Sequence, residues 1–234
     1  MFKKFILGVA LITCTAQVSY AGQAADPNLK LSVDFPTRNV VKVQAGDFHF
    51  LPGQRAPIHT HDAPALGYVS KGTILYKVEG RPAGLLHEGD VFYEPAGPRI
   101  MMFDNASTTK EAIFIDINLQ QEGEPFIVFE KPPTEAIDRR TMPETNYEGV
   151  KIDGANIYTH MLQPEAKQYI DISNPVSGYV ALGDVELRKD GKRVKRLKTG
   201  DNFYHYEQGA GLVLVNTSSN KPAKVIAFEL HKTP

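Results

Sequence analysis

The sequence has 234 residues but only one cysteine, Cys14, and this residue lies in an N-terminal segment that we expect to be removed on export. The mature chain would then contain no disulfides, although an exported compartment would permit them. Thiol chemistry is excluded for the same reason. The stability of the protein must come from packed hydrophobic cores.

Several catalytic motifs are absent from the sequence. It contains no Gly-x-Ser-x-Gly, no phosphate-binding P-loop, no dinucleotide-binding fingerprint and no His-Glu-x-x-His. These absences argue against the hydrolases, nucleotide-binding enzymes and zinc proteases that depend on such motifs. A helix-turn-helix candidate is missing as well, which argues against a transcription factor.

The chain also lacks an excess of charge of either sign and a long apolar run. Its 26 basic and 27 acidic side chains become 24 and 27 once residues 1–21, with Lys3 and Lys4, are removed, so the net charge is −3. This balance argues against a nucleic-acid surface. The apolar stretch from Phe5 to Ala16 is shorter than the about 18–20 residues that span a bilayer, so we expect no stable membrane insertion.

The first 21 residues are typical of a secretory signal peptide. Lys3 and Lys4 form a short positive region, an apolar stretch follows, and Ser19-Tyr20-Ala21 places small residues at the two positions that a signal peptidase reads. We expect cleavage before Gly22 and a periplasmic or secreted mature protein. The alternative is a lipoprotein anchored through Cys14, although threonine suits the position before a lipidated cysteine poorly.

Residues 65–120 recur as residues 176–231 at a constant offset of 111 and without a gap. The two copies share 16 identities in 56 positions, and Gly67-Tyr68-Val69 returns as Gly178-Tyr179-Val180. Average amino-acid usage would give roughly one match in fifteen by chance. A repeat of this length is typical of a duplicated domain.

Short strand-like runs follow one another in both copies at a spacing of about ten residues, separated by glycine and proline turns. This pattern predicts an all-β protein, with antiparallel sandwiches or barrels. Prolines interrupt residues 123–147, where we expect an extended connector with one short helix at Thr134 to Arg140. The predicted domains are therefore residues 22–122 and 148–234.

Residues of the first copy resemble a known family. The first cupin motif, with a glycine, a His-x-His pair and a later glycine, is matched by Gly53, His59, His61 and Gly72. The second motif is matched by Gly89, Pro95 and Gly97, with Asp104 at its closing asparagine and Asn105 one place later. The resemblance extends over nearly the whole mature chain once the repeat is counted. It implies a bicupin, with two double-stranded β-helix (jelly-roll) barrels in tandem.

The resemblance also implies a metal site in the first barrel. Residues i and i+2 of a strand share a face, so His59 and His61 can both point to one position inside a barrel. Imidazole nitrogens suit a divalent transition metal such as Fe, Mn, Ni, Cu or Zn. The cupin pattern adds a glutamate and a third histidine, but those positions hold Ala65 and Ile100 here. Two of the four expected ligands are missing.

Other side chains are candidates to complete or line this site. The candidate replacement ligands are Asp62, Glu94, Tyr93, His49, His87 and Met102. Met102 shares strand parity with Ile100, which allows a soft His-His-Met environment for copper. We expect a small-molecule ligand to contact Tyr68, Tyr93, Ile100 and Met102. The alternative for the two histidines is that they line the barrel without a metal and hydrogen-bond a ligand or water.

The second copy has Ile170 and Ile172 where the first has His59 and His61, and these side chains offer no lone pair. We therefore expect any metal or polar ligand in the first barrel and no metal in the second. Two functions stay open: a metal-dependent enzyme of the dioxygenase, decarboxylase or isomerase kind acting on a small oxygenated molecule, and a non-catalytic protein that binds a small or sugar-like ligand. The packing of cupin barrels on one another is also compatible with a homodimer.

Overall fold

The structure, a computed structural model, describes residues 26–170, 173–206 and 211–232. Every regular element in these ranges is a β-strand, which confirms the predicted all-β class. This part of the chain contains no helix able to cross a membrane. The predicted signal peptide, Cys14 and Ile172 lie outside the described residues.

The first half of the chain forms ten strands. They are β1 (Leu29–Phe50), β2 (His59–Thr60), β3 (Ala65–Lys71), β4 (Thr73–Val78), β5 (Gly84–His87), β6 (Val91–Glu94), β7 (Ile100–Asn105), β8 (Ala112–Gln120), β9 (Val128–Phe129) and β10 (Asp138–Thr141).

The described part of the second half forms eight strands. They are β11 (Thr145–Leu162), β12 (Lys167–Ile170), β13 (Val176–Leu182), β14 (Asp184–Lys189), β15 (Lys192–Lys198), β16 (Asn202–His205), β17 (Leu212–Asn216) and β18 (Ala223–Lys232).

Strands of both halves join in one nine-stranded sheet, in the order β16-β13-β18-β11-β1-β8-β3-β6, with β10 also paired to β1. The long strands β1 and β11 pair antiparallel at its centre. Outward from that pair, β8, β3 and β6 on one side match β18, β13 and β16 on the other, so the order is symmetric about the centre. Two smaller sheets complete the halves, β5-β4-β7-β2-β9 in the first and β12-β17-β14-β15 in the second.

The repeated glycines at 67 and 178 occupy equivalent places in the large sheet. Gly67 pairs with Phe92 of β6, and Gly178 pairs with Phe203 of β16. In each case the phenylalanine ring lies over the glycine, and a Cβ atom would collide with that ring. The two halves use the same close contact, which explains why glycine recurs here.

The repeated asparagines 105 and 216 also have one role. Each side-chain amide donates to three backbone carbonyls, those of Phe50, Leu51 and Lys110 in the first half and those of Leu162, Gln163 and Lys221 in the second. Each amide thus links the end of a long strand, β1 or β11, to the turn that precedes β8 or β18. The sequence repeat is therefore also a repeat of local structure.

Strand alternation divides the apolar side chains among three cores. Successive residues of a strand point to opposite faces of the sheet. In β3, Leu66 and Tyr68 point to the face that packs against the second half, where the Tyr68 and Tyr179 ring centroids are 6.2 Å apart. Val69 instead enters the interior of the first half, and Val180 enters that of the second. Each half therefore has its own interior, separate from the contact between the halves.

The segment 123–147 contributes strands to the first half. β9 pairs with β2, and β10 pairs with residues 46–49 of β1. The short helix expected at Thr134 to Arg140 is absent, and that prediction was wrong. The pairing of β11 with β1 ends at Val43, which leaves the adjoining edge of β1 open, and β10 satisfies its backbone groups there.

Candidate metal centre

Strand β2 contains His59, and His61 directly follows its last residue. His59 pairs with Ile100 of β7 on one side and with Phe129 of β9 on the other. His59 and His61 are both buried, and their ring centroids lie 5.3 Å apart. Both rings are therefore directed into the interior, as alternation along a strand requires.

Each imidazole is oriented by a backbone carbonyl. His59 Nδ1 lies 2.8 Å from the carbonyl oxygen of Pro57, and His61 Nδ1 lies 3.1 Å from that of Phe126. A carbonyl oxygen only accepts hydrogen bonds, so both Nδ1 atoms carry a proton. Each Nε2 atom is left for the interior, which is the orientation of a metal-binding histidine that is held by an outer hydrogen bond.

The third member of the cluster is Glu94, at the end of β6. It lies directly across from Ala65 of β3, the position at which the cupin pattern has a glutamate. Paired residues of neighbouring strands share a face, so the carboxylate reaches the interior from the adjacent strand. Glu94 Oε2 lies 3.2 Å from His61 Nε2, and Glu94 Oε1 lies 3.8 Å from His59 Nε2.

The donor set fits a divalent metal ion. The ligating atoms of His59, His61 and Glu94 all lie within 4.8 Å of one another, and all three residues are buried. His61 Nε2 and Glu94 Oε1 have no hydrogen bond of good geometry although they are shielded from water. Nitrogen and oxygen ligands bind such ions at about 2.0–2.2 Å, so two atoms on one ion lie roughly 3–4 Å apart, and the separations of 3.2 and 3.8 Å found here are close to that.

Glu94 and His61 form a buried ion pair. Burial alone would raise the pKa of Glu94, but His61 and His59 together outweigh burial and lower that pKa to about 2. Burial would likewise lower the pKa of His61, but Glu94, with smaller contributions from Asp116 and the Phe126 carbonyl, outweighs it and raises that pKa to about 9. His61 is therefore protonated at neutral pH, and a metal ion must displace that proton.

A second buried carboxyl, Asp116 of β8, lines the same cavity. Burial, and then repulsion from Glu94, raise the pKa of Asp116 to about 7. Asp116 Oδ1 has no hydrogen-bond partner. Two cations oppose this rise in pKa, first the protonated His61 and then Arg139 of β10, whose guanidinium lies over the Phe126 ring at 3.7 Å from the centroid. Asp116 can therefore hold or release a proton near neutral pH beside the candidate ligands.

The cavity around these groups is small and largely aromatic. Its volume is about 20 Å³, which is room for one water molecule. Phenylalanine rings from four strands narrow it, namely Phe48, Phe50, Phe103, Phe114 and Phe129. The described conformation accommodates an ion with a very small ligand, and a larger substrate would require these rings to move.

The side chains expected to contact a small molecule lie in different places. Ile100 is fully buried opposite His59 and points into the same interior. Tyr68 and Tyr93 point away from it, toward the contact between the halves. Met102 is 36% exposed, because a β-bulge between residues 100 and 102 shifts the alternation of β7. Met102 therefore does not share a face with Ile100, and no His-His-Met environment forms.

Among the candidate replacement ligands in the described chain, Glu94 alone joins the two histidines in one cluster. Asp62 and His87 are exposed, and His49 lies 3.2 Å from Asp47 on β1. The signal that could have selected Glu94 is the pairing of β3 with β6, which sets Glu94 against Ala65. That register is a tertiary property, and no local pattern in the sequence specifies it.

The matching place in the second half is apolar. Ile170 stands where the first half has His59, and it is buried in the interior core of this half. Val176 lies across from His205 just as Ala65 lies across from Glu94. Within the described ranges, no group of three potential ligands occurs in this half.

Residues 39–118, which include both histidines and Glu94, match the model of the cupin domain family. A search among curated proteins finds no match. Solved structures with a similar fold include a variant of oxalate decarboxylase from Bacillus subtilis, with a TM-score of 0.57 at 15% identity, over 88% of this chain and 75% of that chain.

The nickel(II) complex of the bacterial pirin YhhW from Escherichia coli has a TM-score of 0.55 at 16% identity, over 83% of this chain and 85% of that chain. Salicylate 1,2-dioxygenase from Pseudaminobacter salicylatoxidans has a TM-score of 0.54 at 13% identity, over 81% and 71%. At these identities the comparison shows a shared fold. The family match shows a cupin domain at residues 39–118, and the chain shares the fold of these solved structures.

Proposed function

We propose that the protein is a bicupin whose first barrel holds a divalent transition metal through His59, His61 and Glu94. The observation that carries this proposal is the convergence of three buried ligating atoms within 4.8 Å. The tandem of two barrels is supported by the symmetric strand order and by the glycine and asparagine contacts that recur at an offset of 111. Two nitrogen ligands and one oxygen ligand suit Fe, Mn, Ni, Cu or Zn.

The chemistry we propose is metal-assisted conversion of a small oxygenated molecule. Three protein ligands leave a coordination position open, as catalytic metal sites do, and a bound ion would polarise a substrate oxygen there. Asp116 supplies a carboxyl that can hold or accept a proton beside that position. The phenylalanines around the cavity exclude water.

A second candidate function is non-catalytic binding of a small or sugar-like molecule. Two observations favour it: the cavity of the first half measures only about 20 Å³, and Ile100 presents no donor opposite His59. In this case the two histidines and Glu94 would stabilise the barrel or hold a metal without turnover.

Measurement of the metal content tests whether the first barrel holds an ion. Mature protein is loaded separately with each of the five metals, desalted and analysed for bound metal per chain. We expect about one equivalent for the wild type and loss of that metal in the His59→Ala/His61→Ala variant, whereas Asp62→Ala, which removes an exposed residue, serves as a control. Stoichiometric metal in the double variant would place the site elsewhere.

An exchangeable coordination position on the metal distinguishes the catalytic function from the non-catalytic one. Cobalt(II)-loaded protein is titrated with azide, and its visible absorption spectrum is recorded. A saturable spectral change supports an open position that a substrate oxygen can take. An unchanged spectrum favours the non-catalytic function.

We also propose that the mature chain is exported to the periplasm or secreted, that its partner is a small molecule, and that it can form a homodimer. The positive region, apolar stretch and small residues of the first 21 positions support export.

A further inference from the structure

The second half contains a much larger cavity than the metal centre of the first. A cleft of about 270 Å³ opens into its interior, whereas the cavity at the metal centre measures about 20 Å³. One difference between the halves lies in the wall of this cleft: Ala227 stands at the position that Asp116 has in the first half, and its side chain is smaller.

This cleft occupies the place that the metal centre has in the first half. Its apolar wall consists of Ile170, Val176 and Ala227, which correspond at the offset of 111 to His59, Ala65 and Asp116. The polar groups of the cleft come from other positions. The cleft of the second half is therefore lined by polar side chains as well, but they stand at positions different from those of the metal centre.

His160 is the most informative of these groups. It pairs with Val225, as Phe48 pairs with Phe114 in the first half, so an imidazole replaces a core phenylalanine. His160 is only 6% exposed, and its Nδ1 has no hydrogen-bond partner. Burial lowers its pKa, so the ring is neutral at pH 7. A buried polar atom without a partner in a cleft calls for a hydrogen bond from a bound molecule.

The remaining polar groups favour hydroxyl groups over anions. The Glu229 carboxylate accepts a hydrogen bond of 2.9 Å from the Asn174 amide, which fixes its position. The other polar lining residues are Asp26, Tyr158, Gln168 and Tyr169. Two carboxylate side chains and no lysine or arginine line the described cleft, so an anion would meet repulsion.

Two tyrosines supply aromatic faces. The Tyr158 ring stacks on the His160 ring at 5.9 Å between centroids and an angle of 11°. Tyr169 stands at the rim with 71% exposure, an unusual place for a large aromatic side chain. Aromatic faces beside hydrogen-bonding groups suit a ligand with both apolar C–H faces and hydroxyl groups.

We propose that this cleft binds a neutral polyhydroxylated molecule of monosaccharide size, without a metal. The volume of about 270 Å³ is more than ten times that of the cavity at the metal centre, which has room for one water molecule, and it suits a single sugar ring. The sequence led us to expect any polar ligand in the first half. At the equivalent place in the two halves, the larger space lies in the second half, beside the unpartnered Nδ1 of His160.

The test uses the full mature protein and saturation-transfer NMR with D-glucose, D-galactose, D-mannose and L-arabinose, followed by calorimetry for each sugar that binds. We expect saturable binding of at least one sugar that a chelator does not change. Two variants should each weaken it by about tenfold or more: His160→Phe, which refills the cleft as Phe48 fills the first half, and Tyr169→Ala. Val194→Ala, at an exposed position on β15, should leave binding unchanged.

The His59→Ala/His61→Ala variant separates this site from the metal centre, because it should lose metal and keep the sugar. Three results would overturn the proposal: none of the four sugars binds, both cleft variants bind as the wild type does, or sugar binding requires metal. Putrescine is tested in parallel. Binding of this diamine without binding of any sugar would identify a cation site instead.

Discussion

Ala65 and Glu94 face each other across the β3–β6 pair, so the carboxylate that is missing at one position is present at its cross-strand partner. Both side chains are fully buried and share the face of the two histidines. This relationship adds a carboxylate to the two histidines as a third candidate ligand. It also suggests that the carboxylate can be moved between the two strands.

We expect Glu94→Ala to lose metal binding and the Ala65→Glu/Glu94→Ala variant to recover part of it. The single variant removes the one oxygen ligand, whereas the double variant returns a carboxylate to the same face. Competition with a chromophoric chelator measures the affinity, and we expect a loss of at least about 100-fold followed by partial recovery. Glu88→Ala, at an exposed position, is the control. Wild-type affinity in Glu94→Ala would remove Glu94 from the ligand set.

Replacement of Ile100 by histidine should tighten metal binding. Ile100 lies opposite His59 in the pairing of β2 with β7, and paired residues have Cβ atoms about 4.5–5.5 Å apart. A fourth ligand on that face should slow metal loss to a chelator by about tenfold or more. Met102→His provides a matched control, because the bulge directs residue 102 to the exposed face. Equal retention by both variants would contradict the placement of the site.

Metal uptake should release protons from His61. Its pKa is about 9 in the metal-free protein, so the ring is protonated at pH 7 and must lose its proton to bind an ion. Calorimetry in buffers of different ionisation enthalpy measures the number released. We expect about one proton per ion from His61 at pH 7 and fewer above pH 9. A release that does not change with pH would show that His61 is not a ligand.

The metal-free protein should lose stability as pH rises. The folded-state pKa of His61 is raised from 6.5 to about 9. Its contribution is therefore complete below pH 6.5 and is lost as pH rises through 9. Urea unfolding between pH 6 and pH 9.5 should show a decrease on the order of 1–3 kcal/mol. The His61→Gln variant should show a flatter profile, and an equally steep one would assign the decrease to other groups.

Adding a methyl group at Gly67 or Gly178 should destabilise the fold. The Cβ atom of Gly67→Ala or Gly178→Ala would collide with Phe92 or Phe203, and such overpacking lowers the free energy of unfolding by about 1–3 kcal/mol or more. Gly84→Ala is the matched control, because no atom lies near a Cβ there. Denaturant unfolding measures all three. Similar stability of Gly67→Ala and Gly84→Ala would contradict the close ring contact.

Much of the fold could be predicted from local signals. The spacing of short strands predicted an all-β chain, and the repeat pointed to equivalent roles for Gly67 and Gly178, as the structure shows. The strand at Asp138–Thr141 was missed because its pairing depends on an open edge of β1, which is far away in sequence.

The site was predictable only where one strand carries the information. His59 and His61 share a face because they are two residues apart, and this needs no tertiary knowledge. Glu94 depends on the register of β3 against β6, and Met102 was misplaced because a β-bulge changes the alternation of β7. In the second half, His160 lines the cleft at the place that Phe48 has in the first. Both residues precede the repeated segments, so the sequence repeat does not align them.

Anomalous X-ray diffraction from crystals of metal-loaded protein locates the bound ion directly. We expect one strong anomalous peak in the first half, at about 2.0–2.3 Å from His59 Nε2, His61 Nε2 and a carboxylate oxygen of Glu94. We expect no peak at Ile170 and its neighbours in the second half. A peak that lacks one of the three ligands, or no peak in protein shown to contain metal, would show that these three residues do not form the site.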